Sequence, residues 1–437
     1  MSELRNLRVA LLGSGSVGSQ VARLLLEHSE ELSARIGAKL ELAGIAVRNL
    51  DAKRDVELPQ ELYTTDAERL ILGADIVVEV MGGIEPARTL ILTALQQGSD
   101  VITANKALLA AHGEELQAAA DRVGAQLSYE AAVAGAIPII RPLLNSLAGD
   151  NIKRAMGIVN GSTNYILDSM DRFGQTTEEA MKIASDLGYL EADPTLDVEG
   201  YDAAQKAAIL ARIAFHTELP ADAVYREGIT KITAEDIATA KQNGQTIKLL
   251  AVVERVERED GSEGVSARVY PALISREHPL AAVHGGKNAI FVEAESAGEL
   301  MFYGAGAGGV ETASAVLGDL VSAARRHVAG GPGVSFKSYA NLPVLTIGEI
   351  LTAYQLRLTV ADQPGVLQQI AGVFAENNVS LATVQQSPSK DTADAATLVI
   401  GTYRAREAEL KATLERIAAL DAVLSVDSTL RVAEVSA

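Results

Sequence analysis

The sequence predicts an α/β protein: a doubly wound parallel sheet first, an α+β region after it, and a ferredoxin-like domain at the C-terminus. Three observations carry that expectation. A short apolar segment, Leu7 to Leu12, ends in Gly13-Ser14-Gly15-Ser16-Val17-Gly18 and runs into the apolar helix pattern Val21, Ala22, Leu24, Leu25, Leu26. Strand-like and helix-like segments then alternate as far as residue 150, the pattern of βα units around a parallel sheet. Beyond the loop signal Gly330-Gly331-Pro332-Gly333 the segments read β-α-β-β-α-β, the order of a ferredoxin-like domain.

The first strand is apolar enough to be buried on both faces. In the glycine turn after it, Gly13 permits the tight bend, Gly15 lets backbone approach a pyrophosphate and Gly18 lets helix and strand pack closely. With Ser16 and Val17 it forms a cofactor-binding fingerprint, because the amides at a helix start face bound phosphates. The second strand, Leu40 to Val47, runs into Arg48, with Lys53 and Arg54 close by. An acid would serve the ribose hydroxyls of NAD; basic residues favour the 2′-phosphate of NADP. NADP(H) is therefore the expected cofactor, with Asp51 leaving NAD(H) open. Later strands are Asp75 to Val80, Val101 to Thr103 and Gln126 to Glu130; helices are Asp66 to Leu72 and Pro86 to Gln97. Ligands of such Rossmann-type sheets sit at the carboxyl ends of the strands, which places Gly82, Thr103, Lys106 and Glu130 near one. Glu130 opens the segment EAAVAGAIPII. Its carboxylate either ends in ordinary hydrogen bonds or joins carbonyl oxygens around a hard cation.

The middle region starts near Ile152. Asn160-Gly161-Ser162-Thr163-Asn164 is a polar turn and helix cap, followed by helices at Asn164 to Phe173 and Thr177 to Leu187. The stretch GYLEADPTLDVEGYDAAQK, residues 188 to 206, is the densest in acids; Pro194 disfavours a helix and puts those acids on a loop. From Asp202 the alanine-rich pattern reads as a buried helix, with Asp202 and Lys206 on one face. The pair is either an exposed ion pair or a lysine among carboxylates able to hold a small zwitterion and move a proton. Strands at Ile247 to Val256, Val265 to Leu273, Ala289 to Glu295 and Leu300 to Tyr303 follow. Gly304-Ala305-Gly306-Ala307-Gly308-Gly309 then precedes a helix, Val310 to Val328. The division expected is 1–150 for the dinucleotide-binding domain, completed by 304–328, then 151–303 for catalysis and dimerisation, a linker at 329–350 and a regulatory domain at 351–437.

Composition narrows the function. A net charge of −19 argues against nucleic acid and anionic membrane as partners. The absence of cysteine removes thiolate nucleophiles, disulfides and thiolate metal ligands. The six histidines lack metal-ligand spacing. With no apolar run long enough to span a bilayer and no signal-peptide pattern, a cytoplasmic enzyme is expected.

Seven motifs in one chain resemble a family. GSGSVG, TANKALL (103–109), EAAVAGAIPII (130–140), NGSTNYIL (160–167), the 188–206 stretch, YGAGAGG (303–309) and ADQPGVL (361–367) are together similar to homoserine dehydrogenases with a C-terminal ACT domain. The resemblance covers nearly the whole chain and implies NAD(P)H-dependent reversible reduction of L-aspartate 4-semialdehyde to L-homoserine. It implies Lys206 as acid/base, Lys106 as a second lysine at the reacting oxygen, and Glu191, Asp197 and Asp202 as substrate-binding acids. It also implies Gly306, Gly308 and Thr103 at the cofactor, and a monovalent cation, sodium or potassium, on Glu130 and the carbonyls of Val133, Gly135 and Ile137. The ACT-like tail suggests a threonine effector near Gly365 and Asn378, in a homodimer or homotetramer. A non-catalytic amino-acid sensor on the same fold is the alternative from another class; it would bind cofactor without turnover.

Overall fold

A computed structural model describes residues 5–54, 56–190, 193–258, 260–334, 336–389 and 394–433. The chain divides into two compact units. One comprises Met1–Ala155, Gln205–Ala221 and Lys287–Asn341; the other comprises Met156–Ala204, Asp222–Gly286 and Leu342–Ala437. Among the described residues no helix is long and apolar enough to cross a membrane.

The first unit holds six parallel strands: β1 (Asn6–Leu12), β2 (Lys39–Ala46), β3 (Tyr63–Thr64), β4 (Ile76–Glu79), β5 (Asp100–Thr103) and β6 (Leu127–Ser128). Their order is β3-β2-β1-β4-β5-β6, so the winding reverses between β1 and β4. Such a reversal opens a crevice at the carboxyl edge of the sheet. Val9–Leu12 of β1 and Ile76–Val78 of β4 are apolar and buried, as strands covered on both faces are. The helix Gly309–Ala329 belongs to this unit although most of the chain separates it from β1. Its Ala313, Val316, Leu320 and Ala324 recur at helical spacing and join Leu7, Val9, Val21 and Leu25 in one core. The hairpin Lys287–Ala294 with Gly298–Ala305 leads into that helix.

The second unit carries the helices Gly161–Phe173, Thr177–Asp186 and Ala234–Gln242 and the long antiparallel pair Gln245–Glu257 with Glu263–Ser275. Its C-terminal part has the expected β-α-β-β-α-β order: Leu351–Ala361, Val366–Glu376, Leu381–Pro388, Ala395–Thr402, Glu407–Ala418, Val423–Val432. Leu356, Leu358, Ile370, Phe374, Leu398, Ile400 and Ile417 form its core. The sheet does not stop there. Ala272 and Leu273 pair in parallel with Arg431 and Val432, which joins the antiparallel pair to the ferredoxin-like sheet. Buried Arg357 donates to Asp236 at 3.0 Å and Glu235 at 2.5 Å on the neighbouring helix. Arg431 holds Glu407 at 2.6 Å and Glu227 at 2.9 Å.

The loop expected around Pro194 is partly helical. Thr195–Val198 forms a short helix with Pro194 at its start. A proline costs nothing there, since the first N–H groups of a helix have no internal acceptor. Asp197 therefore stands on a helical turn, whereas Glu191 lies outside the described residues.

Candidate active site

The glycine turn after β1 has the geometry of an anion cradle. Gly13 has φ +106° and donates its N–H to Ala46 at 2.9 Å. A Cβ at Gly13 would stand 2.9 Å from the Val80 carbonyl oxygen, and one at Gly18 2.2 Å from the Gly13 carbonyl oxygen, so neither position accepts a side chain. Above Gly15 nothing lies within 4 Å. The helix Ser16–Glu27 begins there without a side-chain cap, leaving the amides of Ser16, Val17 and Gly18 to meet an anion. The second glycine loop packs onto the first: a Cβ at Gly309 would be 2.7 Å from the Ser16 carbonyl oxygen. The Asn288 carboxamide fills the space a Gly306 side chain would need, and the Glu311 carboxylate the space at Gly308. These features fit a dinucleotide pyrophosphate. Past β2, Arg48 is exposed, whereas Arg54 stacks over Tyr63 at 4.3 Å and donates to the carbonyls of Asn49, Leu50 and Ala52.

At the ends of β4 and β5 lies a buried network that the motif reading passed over. Glu79, the last residue of β4, is 0% exposed. It accepts from the Thr103 hydroxyl at 2.6 Å and from the Met81 and Gly82 amides at 2.7 and 3.2 Å. Asn105 donates its amide N–H to Thr103 Oγ1 and its side chain to the Gly83 carbonyl at 2.6 Å. Its carbonyl oxygen caps the helix whose first residue is Lys106. Thr103, Lys106 and the Met81–Gly83 turn are thus fixed together. Burial pushes the Glu79 carboxyl above the usual carboxylate range, against the hydrogen bonds it accepts.

Glu130 is 1% exposed. One oxygen accepts from the Ile139 and Ile140 amides at 2.5 and 2.7 Å; the other accepts from the Arg141 amide and guanidinium, both at 2.9 Å. All four lone-pair directions of the carboxylate are occupied. The Glu130 amide in turn donates to Asp319 at 2.8 Å, and burial pushes the Asp319 carboxyl up to about 7. The carbonyl oxygens of Val133, Gly135 and Ile137 accept none of the loop and turn hydrogen bonds found among the described residues. At Gly135, where φ is +58°, a Cβ would meet the Gly306 carbonyl oxygen at 2.5 Å. The arrangement suits a cation held by carbonyls, with Glu130 shaping their loop.

In the second unit Asn160 organises the acids. It caps the helix Gly161–Phe173 by accepting from the Thr163 amide at 2.9 Å. Its side-chain amide donates to Asp197 at 2.7 Å and to Asp202 at 3.0 Å. Asp202 and Lys206 lie one turn apart on the helix Tyr201–Phe215, 7% and 8% exposed. The exposed-ion-pair alternative is therefore excluded. Ser162 donates to the Tyr189 carbonyl at 2.6 Å, and the Tyr165 and Tyr189 rings stack at 4.8 Å. Deeper in, Lys248 donates to Asn164 at 3.1 Å and to the Val283 carbonyl at 2.7 Å, while Asp168 accepts from the Gly285 amide at 2.8 Å. Gly365 and Asn378 flank opposite ends of the helix Val366–Glu376, which is about 16 Å long, so one chain alone does not bring them together.

Three family descriptions match the chain. "Homoserine dehydrogenase, NAD binding domain" matches residues 13–130, "Homoserine dehydrogenase" residues 138–321, and "ACT domain" residues 354–422. The homoserine dehydrogenase of Mycobacterium tuberculosis is 54% identical over 428 residues, 97% of either chain. That of Corynebacterium glutamicum is 52% identical over 425 residues, 97% of this chain and 95% of the other. A homoserine dehydrogenase crystal structure from Thiobacillus denitrificans superposes with a TM-score of 0.91 at 37% identity, covering 99% of this chain and 100% of that one. A hyperthermophilic archaeal homoserine dehydrogenase in complex with NADPH gives a TM-score of 0.61 at 29% identity, over 75% of this chain and 99% of that one.

Proposed function

The chain belongs to the homoserine dehydrogenase family, and from that premise we propose how its residues carry the reaction. It is an NAD(P)-dependent oxidoreductase interconverting L-aspartate 4-semialdehyde and L-homoserine, in the route to threonine, methionine and isoleucine. The bound dinucleotide supplies the hydride that reduces the aldehyde carbon. Lys206 gives the carbonyl oxygen its proton, and Lys106 stabilises the negative charge that develops there. Glu191, Asp197 and Asp202 are the acids of the substrate pocket, with Glu191 gripping the substrate ammonium. The observation that carries this reading is the buried Asp202 and Lys206 on one helix face, with Asn160 bracing both Asp202 and Asp197.

The finer assignments rest on the same residues. Gly13, Gly15, Ser16, Val17, Gly18, Thr103, Gly306 and Gly308 receive the cofactor. NADP(H) is preferred, supported by Arg48 where NAD enzymes carry an acid and by the NADPH of the archaeal relative. A sodium or potassium ion sits on the carbonyls of Val133, Gly135 and Ile137 beside Glu130. Threonine acts through the ACT domain, near Gly365 or Asn378, in a homodimeric or homotetrameric cytoplasmic enzyme. The test is NADPH consumption with aspartate 4-semialdehyde by wild type and Lys206→Ala. Turnover in wild type, lost in the variant while cofactor still binds, supports the reading. Wild type that binds cofactor and never turns over refutes it.

A further inference from the structure

Among the described residues Glu79 is a buried carboxylate with no cationic partner. Its partners are the Thr103 hydroxyl, the Met81 and Gly82 amides and the Asn105 side chain, all neutral, and among the described residues it joins no ion pair. A carboxylate buried without a compensating charge is costly. Thr103 Oγ1 already accepts from the Asn105 amide, so its own proton goes to Glu79, and a carboxyl that only receives hydrogen bonds has the pattern of an ionised group. Its position suggests what the charge serves. In this sheet order the adenosine half of a dinucleotide lies over β1 and β2, with its phosphates at the first glycine turn. The other half extends across the reversal, over the carboxyl ends of β4 and β5. Those ends are Glu79 and Thr103.

We propose that Glu79 is a charge-positioning residue for the nicotinamide: its buried carboxylate favours the oxidised ring, which is cationic, over the reduced ring, which is neutral. This rests on the cofactor assignment made above. Glu79 is too deeply enclosed to touch the ring, so it is not a catalytic residue. It acts through the field it sets up in a low-dielectric site and through the Met81–Gly83 turn that it orients. The field favours the charge distribution reached as the aldehyde is reduced.

The experiment is a direct binding titration of NADP+ and of NADPH, on wild type and on Glu79→Gln, with adenosine 2′,5′-bisphosphate as a ligand lacking the nicotinamide. A full charge within about 10 Å at an effective dielectric constant of about 20 predicts a selective loss of about tenfold. Glu79→Gln should weaken NADP+ by about that factor, NADPH by less than twofold, and the bisphosphate not at all. Equal weakening of both dinucleotides would reduce Glu79 to a structural brace, and unchanged affinities would also overturn the proposal. Glu79→Asp is the second variant. It keeps the charge but cannot reach all of these donors, so both affinities should fall while their ratio stays at the wild-type value. A ratio that moves with Asp defeats the idea even if Gln gives no folded protein. Wild type that turns over substrate yet fails these tests leaves the parent function intact; wild type that binds neither dinucleotide removes both.

Discussion

Replacing Asn160 by aspartate tests the brace on the substrate-pocket acids. The side chain keeps its shape and its cap, because aspartate and asparagine cap a helix about equally well and the Thr163 amide retains its acceptor. What changes is the group facing Asp197 and Asp202. Two donated hydrogen bonds, 2.7 and 3.0 Å long, become two carboxylate–carboxylate contacts. Hydrogen bonds to charged groups contribute roughly 1.5–3 kcal/mol each, so losing both costs about 3–6 kcal/mol unless the cluster binds a proton. Like charges in one site raise the pKa of at least one member. In the variant, then, the folded state binds a proton that the unfolded state releases near pH 4. Stability conferred by such a raised pKa is present at low pH and lost as pH rises. The deficit relative to wild type should be roughly 3 kcal/mol at pH 7.5 and clearly smaller at pH 5.5. Asn160→Ala removes the cap and both donors without adding charge, so its deficit should change less with pH than that of Asn160→Asp. Thermal and urea unfolding of the three proteins at both pH values measure this, with KM for homoserine alongside. An Asn160→Asp protein as stable as wild type at pH 7.5, or with a pH-independent deficit, would show that Asn160 does not brace the acids.

Other expectations follow from single contacts. Gly18→Ala places a methyl group 2.2 Å from the Gly13 carbonyl oxygen, so dinucleotide binding measured by titration should fall at least tenfold while the ferredoxin-like domain's structure is untouched. Burial lowers the Lys248 pKa to about 8, with Asp168 and Asp171 opposing. The unfolded chain therefore holds more protons than the folded one between about pH 8 and about pH 10.4, and stability should rise with pH across that window by about 3 kcal/mol. Lys248→Met should flatten the rise between pH 8 and 9.5, and an unchanged slope would contradict the assignment. Arg431→Met leaves Glu407 buried without its guanidinium; breaking such a buried pair costs about 3–5 kcal/mol, visible as an earlier urea midpoint. Lys206→Ala should abolish turnover while NADPH affinity stays within twofold, and retained turnover would shift the proton donor to Lys106.

The parts of this protein that could be read from sequence are those encoded within one short segment. The glycine fingerprint is such a segment at Gly18, where a side chain would strike the Gly13 carbonyl of the same turn, whereas the clash that forces glycine at position 13 comes from Val80, far along the chain. The helix carrying Asp202 and Lys206 was legible from its alanine and leucine spacing, but its burial was not, since burial depends on what packs above it. Asn160 was legible as a cap because its partner is three residues on; its other partners lie 37 and 42 residues away, and spacing carries no trace of them. The parallel joint of Ala272 and Leu273 with Arg431 and Val432 was hidden for the same reason. Glu79 is different. An acid at the end of the apolar strand Ile76–Glu79, with apolar Val80 and Met81 after it, is a signal available without any structure. Buried acids are rare and must find donors or a cation. The donors supplied by Thr103, Met81, Gly82 and Asn105 are neutral, so the unbalanced charge points outward from the fold to whatever positive group occupies the crevice.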